Sequence, residues 1–68
     1  MTISELILQL KEEKAYVDTK EDYYRKKIER SKESIAQILI WASYAHEFEV
    51  RSNTLYGVIR RLEELEEN

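Results

Sequence analysis

A single glycine, Gly57, and no proline stand among the 68 residues of this chain. Sheets and mixed α/β folds turn on residues that supply a positive or a fixed φ, and this chain has almost none of either. The expectation is an all-α protein, helical nearly throughout. Within it, the block Ile38 to Ala45 (ILIWASYA) would place apolar side chains on every side of a helix. Such a segment has to be covered on more than one face.

Length restricts what can do the covering. Sixty-eight residues make one domain at most, spanning 1–68, and chains this small need a disulfide, a metal, very good helix packing or a partner subunit. The absence of cysteine excludes disulfides and thiolate metal sites, so packing and self-association remain. The longest apolar run, Ile38 to Ala42, is far below the roughly 20 residues of a membrane span. Glu5 stands where a secretory signal would be basic, and a soluble, cytoplasmic protein is expected.

Capping and periodicity place three helices, at about 3–16, 19–47 and 53–66. Thr2-Ile3-Ser4-Glu5 is a capping box, followed by Ile3, Leu6, Ile7 and Leu10 at helical spacing. Asp18 or Thr19 can cap a second helix, with Glu21 and Asp22 in its first turn. Its seam steps by threes and fours through Tyr24, Ile28, Ser31, Ile35, Ile38, Ala42 and Ala45, a coiled-coil-like pattern. Ser52 or Asn53 can cap a third, which runs through Leu55, Val58, Ile59, Leu62 and Leu65. Short connections favour antiparallel neighbours, so two shorter helices would lie against a long central one. That open array leaves the apolar centre half covered, which points to a homodimeric helical bundle; a compact monomeric three-helix bundle is the alternative.

Catalysis has little raw material. The lone His46 falls near the expected end of the second helix, where an imidazolium complements the helix dipole. No Glu-x-x-His spacing, glycine-rich phosphate loop or nucleophile elbow occurs, so no enzyme activity, cofactor or metal is expected. Residues 20–32 carry six cations, Lys20, Arg25, Lys26, Lys27, Arg30 and Lys32, interleaved with Tyr23 and Tyr24. Single-strand binding surfaces look like this. So does a solvated helix face, because Glu21 with Arg25 and Asp22 with Lys26 are i,i+4 pairs. Glu63, Glu64, Glu66 and Glu67 oppose the dipole at a helix C-terminus, and a basic surface such as Arg25 to Lys32 of a second subunit would stabilise them.

Counting from Trp41, apolar Tyr44, Phe48, Val50, Leu55 and Val58 and small Ala45 occupy the positions that a helix-turn-helix buries. Thr54-Leu55-Tyr56 with Val58-Ile59-Arg60-Arg61-Leu62-Glu63-Glu64 resembles the recognition helix of PadR-like winged-helix regulators. The resemblance covers residues 41–64. It implies that Arg51, Ser52, Asn53, Tyr56, Gly57 and Arg60 face a DNA major groove. The ninth position of that unit, where the turn takes a positive φ, is Glu49.

Two functions follow as expectations. The first is a non-enzymatic regulatory or adaptor protein, acting as a homodimer and binding an unidentified protein, with Leu39, Ile40, Trp41 and Tyr44 at its interfaces. The second is a helix-turn-helix DNA-binding transcriptional regulator.

Overall fold

The computed structural model describes residues 1–32 and 34–67, and in these the chain forms two helices, α1 (Ile3–Arg30) and α2 (Ile35–Glu67). The Thr2 hydroxyl caps α1 by accepting from the Glu5 amide at 3.1 Å. Ser31 ends it in extended backbone, with its own N–H on the Ile28 carbonyl. Lys27 and Arg30 in the last turn complement the dipole. Ser34 then accepts from the Gln37 amide at 3.3 Å, opening α2. Ser34-Ile35-Ala36-Gln37 has the capping-box pattern.

Three helices at about 3–16, 19–47 and 53–66 are thus corrected to two, and the single break falls inside the segment read as the long central helix. The expected caps are occupied otherwise. Thr19 donates back to the Ala15 carbonyl at 2.9 Å, and Thr54 to Val50 at 3.0 Å, a bond that lets a hydroxyl remain inside a helix. Asp18 takes Lys14 at i,i+4 (2.8 Å) and the hydroxyl of Ser52 from the other helix. Three of the four expected caps, Asp18, Thr19 and Ser52, are committed in this way, as is Thr54 beside Asn53, and both helices run through these positions. His46 accordingly lies mid-helix, 3.7 Å from Glu49, and not at a C-terminus.

The helices form an antiparallel hairpin measuring 51 × 16 × 14 Å. Contacts run in reverse order along α2: Ser4 with Glu66, Lys11 with Glu63, Asp18 with Ser52, Arg25 with Glu49, and Lys27 with Trp41. One heptad register runs through each helix without a skip. In α1 it is Ile7, Leu10, Lys14, Val17, Glu21, Tyr24 and Ile28; in α2 it is Ile38, Trp41, Ala45, Phe48, Ser52, Leu55, Ile59 and Leu62, all buried or half-buried. Ile35 and Ala42, both expected on the seam, are exposed. Only Ile7, Val17, Ala45 and Ile59 are buried apolar residues among those described.

That is a small core for the surface it must offset. The hairpin exposes 5378 Å², whereas a compact monomer of 8.2 kDa exposes about 4,500 Å². Its radius of gyration is 15.5 Å, against about 11 Å for a compact domain of this length.

Candidate interaction surface

Heptad geometry gives the hairpin two unlike edges. One is ionic: Lys11 meets Glu63 at 3.3 Å and Arg25 meets Glu49 at 3.2 Å, with the Asp18–Ser52 hydrogen bond between them. Glu21 also holds Arg25 at 2.7 Å, and Asp22 holds Lys26 at 2.9 Å, both at i,i+4.

The other edge is aromatic and aliphatic. In α1, Tyr16, Lys20, Tyr23 and Lys27 follow one another by fours and threes, with the Lys20 ammonium 5.6 Å from the Tyr16 ring centre and that of Lys27 5.3 Å from Tyr23. In α2, Ile40, Tyr44, Val58 and Leu65 lie along the facing flank, all exposed. Tyr24 bridges the two, its ring 5.2 Å from that of Tyr44 and stacked on Phe48 at 6.0 Å. Monomeric proteins rarely expose so many large apolar groups along one side.

Near the turn this edge closes into a cavity of about 350 Å³ lined by Tyr23, Lys26, Lys27, Arg30, Lys32 and Trp41. The Lys27 ammonium sits 4.9 Å from the Trp41 ring centre, a cation–π contact that holds the charge beside an apolar wall. Lys26 is engaged by Asp22, whereas Arg30 and Lys32 have no ion-pair partner among the described residues. The cavity is therefore strongly cationic, with Tyr23 and Trp41 as its aromatic walls.

The four residues read as interface anchors separate. Ile40 (47% exposed) and Tyr44 (44%) lie on the aromatic edge, and Trp41 is half-buried under Lys27. Leu39 (61%) points to the ionic side, away from them. Tyr16, Tyr23, Val58 and Leu65 complete the edge; by sequence alone, Tyr23 falls in the basic segment and Val58 and Leu65 on the buried stripe of an expected third helix. Their signal was the seven-residue repeat, Tyr16 to Tyr23 and Val58 to Leu65, the first of which a break between residues 16 and 19 would have interrupted.

The six residues read as facing a groove also divide. Ser52 is only 6% exposed and its hydroxyl is spent on Asp18, so it does not share a surface with the rest. Arg51 lies over the Phe48 ring at 5.6 Å on the aromatic side. Asn53, Tyr56 and Arg60 share an exposed face by their spacing, with Gly57 beside them in open space. Trp41 to Arg60 is uninterrupted helix, Glu49 included, and no described residue takes a positive φ.

Hydrogen bonding also marks Asp18, whose carboxyl is held below the ordinary carboxylate range, by Lys14 first and Ser52 second. A lowered folded pKa adds stability that is present above the unfolded value, near 3.9, and is lost as pH falls through the folded one. Ser52→Ala is expected to move the Asp18 titration upward and flatten this acid-side loss. A side-chain NMR titration of the two proteins checks it; coincident Asp18 curves would mean that the hydroxyl contributes nothing.

Comparison with known proteins adds no relative, since no family model, curated protein or solved structure matches the chain. No group of three or more potential metal ligands comes together, and no helix is long and apolar enough to cross a membrane, among the described residues.

Proposed function

We propose that this chain is a non-enzymatic regulatory or adaptor protein that works as a homodimer of helical hairpins and binds another protein by helix-face recognition. The observation that carries the reading is the uncovered aromatic edge on a hairpin with four buried apolar side chains. One side of a body 51 Å long and 16 Å wide offers roughly 800 Å², the area each partner contributes to a standard stable interface, about 800 Å². Pairing through that edge covers Ile40, Tyr44, Val58 and Leu65, and leaves Leu39 and Tyr56 on the ionic side as anchors for a further protein.

Sedimentation equilibrium of the pure protein at micromolar concentration tests the dimer, and twice 8.2 kDa is expected. A well-folded monomer would overturn the reading. The alternative, DNA binding through Arg51, Asn53, Tyr56, Gly57 and Arg60, is tested on the same sample with labelled duplex at low salt. Phosphate contacts make such binding steeply salt-dependent, and salt-sensitive binding lost on Arg60→Glu would favour it.

A further inference from the structure

We infer that the two hairpins pair head to tail, with the cationic cavity of each completed by the acidic open end of the other; this rests on the homodimer proposed above. The hairpin carries opposite charge at its two ends. Residues 23–44, around the turn, hold five cations (Arg25, Lys26, Lys27, Arg30, Lys32) against two carboxylates. The open end, residues 1–13 and 57–67, holds seven glutamates against Lys11, Arg60 and Arg61. A parallel pair would stack like charge on like charge at both ends. Turning one copy end over end sets each basic turn against an acidic end, which fixes orientation as well as attraction.

The apolar residues of the aromatic edge agree with that rotation. Tyr44 and Val58 stand seven residues to either side of Arg51, which is the midpoint of α2 (Ile35–Glu67), and Ile40 and Leu65 flank them farther out. A two-fold contact requires that if residue i meets residue j, then j meets i. An antiparallel pair centred near Arg51 meets this condition, bringing Tyr44 onto the second copy's Val58 and Ile40 near its Leu65. In α1, Glu13 lies on the same edge, and the same rotation carries it to the level of Lys27 of the second copy. Glu64, outside the edge itself, reaches the level of the cavity and adds negative charge near Arg30 and Lys32, which have no ion-pair partner among the described residues.

A spin label reads the orientation. The chain has no cysteine, so Ala36→Cys, exposed beside the turn and off both edges, gives one label per copy. Head-to-tail pairing puts the two labels about 45 Å apart along the bundle, at 1.5 Å per residue over twice the distance from Ala36 to Arg51. A side-by-side parallel pair of helices about 10 Å thick brings them below about 30 Å. A short distance in a protein that sediments as a dimer overturns the head-to-tail arrangement and leaves the homodimer standing. Absence of any dipolar coupling in a sedimenting monomer overturns both.

Charge exchange reads the cause. Glu13→Lys with Glu64→Lys, and separately Lys27→Glu with Arg30→Glu, should each weaken self-association at least tenfold, and a one-to-one mixture of the two proteins should restore it. In a parallel pair the reversals would not weaken either protein alone, since like ends already face each other. Unweakened variants, or a mixture no tighter than its components, would overturn the assignment.

Discussion

Val17→Asp is expected to abolish the fold, reducing far-UV circular dichroism at 222 nm to that of an unfolded chain at 25 °C. Val17 is 0% exposed and lies on the α1 seam beside the Asp18–Ser52 contact. A carboxylate there would have Glu13 and Glu21 at i−4 and i+4 and Lys14 and Lys20 at i−3 and i+3, so like and opposite neighbours balance, and Lys14 is already held by Asp18. Burying an unpaired charge costs several kcal/mol, and a core of this size rarely supplies more than about 3–5 kcal/mol in all. Ala15→Asp, two residues away on the exposed side, serves as the control and should keep the signal. An unchanged spectrum for the Val17 variant would show that the seam is not where the two helices meet.

Tyr44→Glu combined with Val58→Glu should convert the dimer to a monomer, raising the dissociation constant by about a hundredfold or more. Within one hairpin the two side chains are 44% and 43% exposed, and surface changes of that kind usually move stability by no more than about 0.5 kcal/mol each. The Tyr44 ring also rests on Tyr24, and its loss removes about 0.5–1.5 kcal/mol of ring contact. In the pair the same positions face each other twice, so four carboxylates enter an apolar seam. A penalty of about 2.7 kcal/mol, well within the cost of desolvating them, is already a factor of 100. Sedimentation equilibrium of the variant, with circular dichroism to confirm that it remains helical, separates loss of association from loss of fold. A variant that stays dimeric would remove the aromatic edge from the interface.

Helix content and the start of α1 were legible in the residues, since the lack of glycine and proline and the Thr2-to-Glu5 box each have a local cause. The i,i+4 pairs Glu21–Arg25 and Asp22–Lys26 were equally legible. The boundaries were not. Asp18, Thr19, Ser52 and Asn53 are good caps by type, but whether such a residue caps depends on what else it can bond. Ser52 and Asp18 find each other across 34 positions of sequence, a contact that no local window contains. The heptad register is the better guide, because it passes through both supposed breaks without a skip and fails only at the turn, where Ser34 and Gln37 carry the capping pattern. The interaction surface was half legible: Ile40 and Tyr44 were placed with it, but pairing them with Tyr16, Tyr23 and Val58 required knowing that α1 and α2 lie antiparallel.

The reversed order of contacts along the seam also sets the order in which the chain can assemble. Lys27 and Trp41 are 14 residues apart, and the loop that joins them closes at little entropic cost. Each later contact inherits a chain already shortened by the ones before it, so the hairpin zips outward from its turn and folds fast for its length. Lys11 with Glu63 and Ser4 with Glu66 close last and open first. The most transient part of each hairpin is thus its glutamate-rich end, the part that the proposed head-to-tail pair would clamp with the other copy's turn, so that the earliest structure in one chain would secure the latest in its mate.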